Sequence, residues 1–238
     1  MGRFPSIAAS KAKTGAAKGK LYSMYAREIY DKAKKGGSAS PESNFALKQV
    51  IEKAKKEQVP ADIIKRALDK FNSGAGEDYQ VVRYEIIGPN GATLIAECLT
   101  DNVNRSISDV RTQVNKAKMK MGAMNSVSYN YDNLAVVTFK ADNEEDALMA
   151  LLDEGIEVLD DEYSDGNLTI SVAPTDQHKM HLCLSNLYPD IDYLIDEVGM
   201  YPKEKVTLTG EDKELFERLL TLLDDVEDVK TVYHNVEL

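Results

Sequence analysis

Residues 81–105 read Val-Val-Arg-Tyr-Glu-Ile-Ile-Gly-Pro-Asn-Gly-Ala-Thr-Leu-Ile-Ala-Glu-Cys-Leu-Thr-Asp-Asn-Val-Asn-Arg, and this stretch decides the fold. Pro89 presets φ for the second position of a turn, while Asn90 and Gly91 tolerate positive φ, so Val82–Ile87 and Thr93–Leu99 pair as a hairpin. Beyond it Val103, Ile107, Val110, Val114, Ala117 and Met121 recur at steps of four and three. That spacing predicts a helix with one apolar stripe, packed on the hairpin and capped by Thr100 or Asp101. At about 100° per residue, Asn104, Arg111, Asn115 and Lys118 share a flank of the stripe, with Arg105 on the far side. Such a row of guanidinium, ammonium and amide groups suits phosphate oxygens and base edges. The same spacing also describes an ordinary solvated helix face.

Working outward toward the N-terminus, residues 2–19 form a basic arm with Lys11, Lys13 and Lys18 and no acid, too polar to hold a core and mobile until an anion orders it. A helix is predicted from about Lys20 to Lys34, burying Tyr22, Tyr25, Ala26, Ile29 and Ala33 and stopping at Gly36-Gly37. Ser40 then caps, and Pro41 opens, a second helix carrying Leu47, Val50, Ile51 and Ala54. A third follows Val59-Pro60 and buries Ile63, Ile64, Ala67, Leu68 and Phe71. Toward the C-terminus the pattern is a strand from Ser126 to Tyr131, a turn at Asp132-Asn133, and then βαββαβ. Its parts are Leu134–Phe139, Glu144–Leu152, Gly155–Leu159, Leu168–Val172, a helix capped by Asp176, and Ile191–Val198. That order predicts a ferredoxin-like split βαβ sandwich. Three remaining elements, Val206–Leu208, Glu211–Val226 and Val229–Val236, cannot bury a core alone and must return to the hairpin sheet. The expected class is α+β with three domains: a basic helical domain at 1–76, a discontinuous α/β domain at 77–133 plus 206–238, and an acidic inserted domain at 134–205.

Charge is uneven along this order. Residues 1–76 hold 16 Lys and Arg against 7 Asp and Glu, whereas the remaining chain holds 13 against 33. A basic segment on an acidic body is the footprint of an oriented polyanion binder, although Lys-rich helices can also simply be soluble. Tyr22, Tyr25 and Tyr30 interleave with Lys20, Arg27 and Lys32; helical spacing places Tyr22 and Tyr25 in the core and leaves Tyr30 to stack on an unpaired base. Signals for catalysis are thin. There is no GxxxxGK[ST], GxGxxG or GxSxG motif. His178 and His181 could share a metal, but no third ligand at metal spacing lies nearby. Asp160-Asp161-Glu162 reads as a solvated turn. Cys98 and Cys183 show no CxxC spacing and are expected as reduced, buried thiols. No apolar run is long enough to span a bilayer.

The same residues carry a resemblance. Gly88-Pro89-Asn90-Gly91, the run Glu97–Arg105, and Val110-Arg111 resemble the signature of the YebC/PmpR family of regulators, which includes the mitochondrial translational activator of cytochrome oxidase. Lys11, Lys18-Gly19-Lys20, Arg27-Glu28-Ile29, Ala54-Lys55, Val59-Pro60, Gly122 with Ser126-Val127-Ser128, and Val232-Tyr233-His234-Asn235-Val236 also sit where that family has its motifs. Ala8, Ser10, Ala17 and Met24 stand where typical members are basic, as in a divergent subgroup. The resemblance implies a cytoplasmic, cofactor-free, non-enzymatic, three-domain regulator of gene expression that binds nucleic acid.

The candidate contacts are then Lys11, Lys13, Lys18, Lys20, Arg27 and Tyr30 in the first lobe, and Asn102, Asn104, Arg105, Arg111 and Lys118 in the second. Three readings follow. The first is a DNA-binding transcriptional regulator, the family's traditional designation. The second is a ribosome-associated translation factor on ribosomal RNA, and the third a protein-protein adaptor. No membrane partner is expected. A monomer is the working expectation for the oligomeric state.

Overall fold

A computed structural model describes residues 15–74 and 76–237, so Lys11 and Lys13 lie outside the described residues. The chain opens with three helices, α1 (Gly15–Gly36), α2 (Phe45–Lys56) and α3 (Ala61–Asn72). Their shared core joins Tyr25, Ile29 and Ala33 to Leu47, Val50, Ile51, Ala54, Ile64 and Ala67. The α2 boundary corrects the sequence reading. Its N-cap is Asn44, whose side chain accepts from the Leu47 N–H at 3.1 Å and donates to the carbonyls of Lys32 (2.9 Å) and Ser38 (3.3 Å). The expected cap, Ser40, instead turns its hydroxyl onto Glu42. Gly36 makes room for this clip, because a Cβ there would overlap the Asn44 side chain.

The hairpin forms as predicted, with β1 (Gln80–Ile87) and β2 (Thr93–Thr100) in register from Gln80↔Thr100 to Ile87↔Thr93. Asn90 and Gly91 take φ of 50° and 79° at its tip. α4 (Val103–Lys116) begins one residue later than expected: Asn102 is the cap, accepting from the Arg105 N–H at 3.0 Å. The Thr100 hydroxyl is occupied holding the Asn102 N–H at 3.0 Å. The helix also ends sooner than the apolar stripe suggests. Ala117 is its C-cap and Lys118 has φ of 57°, so the chain leaves the helix axis. Met121 consequently lies on β3 (Lys120–Met121), opposite Ile86.

An inserted βαββαβ unit follows: β4 (Tyr131–Lys140), α5 (Glu145–Asp153), β5 (Val158–Ser164), β6 (Asn167–Val172), α6 (Gln177–Leu187) and β7 (Tyr193–Pro202). Its antiparallel order, β5-β6-β4-β7, is the ferredoxin-like one, with Ala135, Val137, Phe139, Leu168 and Ile170 packed against Ala147, Leu151, Met180 and Leu184. Four local expectations fail. Asp132-Asn133 is no turn, because both residues pair with β7; a single 3-10 turn, Ser128–Asn130, precedes β4 in place of the expected strand. β5 starts at Val158, after Gly155 closes α5 with φ of 67°. Asp176 makes no side-chain cap bond and ends a 3-10 turn ahead of α6.

The last elements, β8 (Val206–Thr207), α7 (Gly210–Asp224), β9 (Val229–His234) and β10 (Val236–Glu237), return to the hairpin. β9 extends the sheet to the order β3-β1-β2-β9, and β10 pairs with β8 in parallel. Asn235 bolts the return to the hairpin turn: it accepts from the Thr93 N–H at 2.8 Å and donates to the Gly91 carbonyl at 3.0 Å. α4 and α7 cover one face of this sheet, where Ile86, Leu94, Ala96 and Cys98 meet Val110, Val114, Phe216, Leu219 and Leu223. α1 lies against β2, and Ile95 and Leu99 are buried as well. Cover on both faces accounts for the unbroken burial of β2 from Leu94 to Thr100, since a half-exposed strand would alternate. The contacts group the chain into two compact units, one comprising Ser128–Lys205 and the other the described residues on either side of it.

Candidate nucleic-acid interface

The predicted contact residues divide sharply by what their side chains touch. Asp228, 2% exposed, accepts from Arg27 at 3.1 Å, from Arg105 at 3.0 Å and from the Thr100 hydroxyl at 2.9 Å. A bulge in the β2–β9 ladder after Glu97 brings it there, with the Leu99 N–H donating to the Asp228 carbonyl at 2.9 Å. Arg27 also pairs with Glu227, and Arg105 with Asp101 at 2.6 Å. Hydrogen bonds donated to Asp228 and then Asp101 hold the Arg105 proton more tightly than in a free guanidinium, and Arg105 in turn keeps the Asp101 carboxyl below its ordinary range. Lys20 reaches the Asp224 carbonyl and lies 3.8 Å from its carboxylate; Lys230 meets Glu28 at 2.6 Å. These pairs fasten α1 to the α7–β9 turn. Lys20, Arg27 and Arg105, expected as phosphate contacts, thus serve cohesion: Arg27 engages both terminal nitrogens, Arg105 its Nη2 and Lys20 its ammonium with acidic residues of this chain.

Other assignments change too. Tyr30 is 4% exposed, its ring met edge-on by Tyr79 and flanked by the ammoniums of Lys34 and Lys70 at 5.7 and 5.4 Å, so it cannot be the freely stacking tyrosine. Asn102 spends its side chain on the α4 cap. Lys118, beyond the helix end, turns to Glu211 at 3.6 Å. Asn104 and Arg111 remain exposed on one flank of α4 with Asn115, and Lys18 is exposed at the start of α1. Two further signature pieces are also structural. Gly122 donates to the Glu85 carbonyl at 2.7 Å, and the buried Glu85 carboxylate accepts from the Asn125 N–H at 2.7 Å and from the Val127 N–H. His181 meets Asp196 at 3.0 Å, and no group of three metal-ligating side chains exists among the described residues.

The structure also brings out cations that the sequence reading passed over. Lys53, Lys55, Lys65 and Arg66, on α2 and α3, are exposed and, among the described residues, hold no ion pair. Between α1 and α3 runs a groove of about 560 Å³, lined by Gly19, Tyr22, Ala26 and Arg27 on one side and by Ile63, Arg66 and Lys70 on the other. Arg66 and Lys70 lie four apart, so one helix face could have been read from the sequence; what could not was the α1 row opposite.

Comparison with known proteins agrees with this architecture along its length. Residues 2–74 match the TACO1/YebC protein N-terminal domain, and residues 79–236 match the TACO1/YebC second and third domain. The chain belongs to the TACO1/YebC family. A probable transcriptional regulatory protein of Vibrio parahaemolyticus is 46% identical over 100% of both chains. One of Idiomarina loihiensis is 43% identical over 96% of this chain and 95% of its own length. The crystal structure of a conserved hypothetical protein from Aquifex aeolicus, 29% identical, superposes with a TM-score of 0.77 over 99% of this chain and 97% of that one. No helix among the described residues is long and apolar enough to cross a membrane.

Proposed function

We propose that this TACO1/YebC-family protein is a non-enzymatic regulator of gene expression that binds nucleic acid through its helical lobe. The observation that carries the reading is the set of exposed, unpaired cations on α2 and α3, within a segment of 16 basic and 7 acidic residues. Lys53, Lys55, Lys65 and Arg66 are spread along two rigid helices, which favours gripping a backbone. The acidic remainder repels polyanions wherever contact is unwanted. The relatives' names point to transcription, and so to duplex DNA. Ribosomal RNA is the second reading, favoured by the aromatic-lined groove, since unpaired bases are far commoner there. A protein-protein adaptor remains if no polyanion binds.

Gel shifts on duplex DNA and cosedimentation with ribosomes, at matched salt, separate the readings. Retention on at least one polyanion is expected, weakening as salt rises, with each neutralised duplex phosphate contributing about 0.9 to the logarithmic slope. Joint Lys53→Glu, Lys55→Glu and Lys65→Glu substitution should abolish retention and leave the thermal transition in place. Failure of the wild-type chain to bind either polyanion at low salt would overturn the nucleic-acid reading.

A further inference from the structure

We propose that the groove between α1 and α3 receives one unpaired nucleotide of a single-stranded nucleic acid, its base against the tyrosine wall of α1 and its phosphate on Arg66. The proposal rests on the nucleic-acid reading above and adds to it which strand form is held, and where.

Gly19, Ser23, Ala26 and Tyr30 follow one another at helical spacing on α1 and face Ile63, Arg66 and Lys70 on α3. Small residues at three of those α1 positions leave this seam unfilled, and the opening of about 560 Å³ falls in the range of small-ligand sites, roughly 300–1,000 Å³. The half-buried Tyr22 presents ring surface at the wall, and the Tyr30 ring forms the floor. Every base has a π face, so such a wall accepts any of them.

The polar groups are equally selective. Arg27 is consumed by Glu227 and Asp228, so it contributes little net charge at its end. Arg66 is exposed and, among the described residues, holds no ion pair. Lys70 is kept at the rim by the Tyr30 ring, 5.4 Å away, and by a surface contact with Glu77 at 3.3 Å that an incoming phosphate can displace. An apolar aromatic slot with two cations on one lip matches a base joined to its phosphate. A paired base cannot enter, because its edges and faces are already engaged in the duplex.

Gly19 supplies a clean test, because a Cβ there would meet nothing within 4 Å. Gly19→Leu adds bulk on the α1 row without changing charge, and should support α1 by its better helix propensity. Fluorescence anisotropy would compare the full-length wild-type chain, Gly19→Leu and Arg66→Gln. The probes are a labelled single strand of mixed sequence, the same strand carrying 2-aminopurine, and that strand annealed to its complement.

The proposal expects tighter binding of the single strand than of the duplex and quenching of 2-aminopurine on binding. It also expects a loss of about tenfold in single-strand affinity for each variant, the size lost with one stacked base. Duplex affinity should change less than about twofold in Gly19→Leu, and both variants should melt no lower than wild type. Wild-type binding of both strand forms, with neither variant weakening the single strand, would overturn the groove assignment and leave the nucleic-acid reading standing. Absence of wild-type binding to either form at low salt would remove both.

Discussion

Asp228 shows how one buried carboxylate can fix the roles of residues far from it in sequence. It satisfies Arg27 from α1, Arg105 from α4 and Thr100 from β2. Hydrogen bonds to a charged group contribute about 1.5–3 kcal/mol each, and without Asp228 the arginines keep only Glu227 and Asp101. Asp228→Ala should therefore lower the unfolding free energy extrapolated from urea titration by an amount of that order, whereas Asp101→Ala, at the exposed end of Arg105, should change it by less than about 1 kcal/mol. A second residue sets a pH dependence. Burial, with the Phe216 ring edge-on at 5.4 Å, holds the His234 imidazole below its ordinary value. The unfolded chain then takes up this proton first as pH falls below about 6.5, so the contribution is complete above that pH and declines toward the lower folded value. Denaturant midpoints measured from pH 8 to pH 5 (bounds set at about 1.5 units either side of the free imidazole) should fall for wild type and fall less for His234→Phe. Cys98, with its thiol pushed up to about 11 by burial, should resist alkylation until the chain unfolds.

At the level of elements, legibility followed the range of the deciding contact. The hairpin could be read because Pro89, Asn90 and Gly91 act on their own backbone, and the resulting turn has the expected positive φ values. The start of α2 was misread because Ser40-Pro41 and Asn44 carry equivalent local signals; carbonyls at Lys32 and Ser38 chose Asn44. In thermal melts, Asn44→Ala should cost at least about 0.5–2 kcal/mol, the usual worth of a cap, and Asn44→Asp no less, because a carboxylate keeps the cap but cannot donate to the Lys32 and Ser38 carbonyls. Periodicity placed Asn104, Arg105 and Arg111 on the faces of α4. It could not say that Arg105 would be claimed by a residue 123 positions later. The groove failed to appear in the reading for the same reason, since each helix supplies half of it and neither half is diagnostic alone.

Over the whole molecule, the sequence showed that positive charge collects in the first third, but the structure changes which cations carry it outward. Lys20 and Arg27 answer carboxylates of the C-terminal segment, while Lys53, Lys55, Lys65 and Arg66 point to solvent. Charge reversal at Lys20 or Arg27 should consequently lower the melting temperature as well as any affinity, a pairing of effects that charge reversal at Lys53 or Lys55 should not show. The order of synthesis gives the closing strand a particular weight. The α1 helix and the hairpin leave the ribosome early, yet the acids that fasten α1, Asp224, Glu227 and Asp228, follow their partners by 204, 200 and 201 positions. Until then the β2 edge is open and the Arg27 guanidinium lacks both of its carboxylates, so a message truncated just before Glu227 should yield a chain prone to aggregation and degradation.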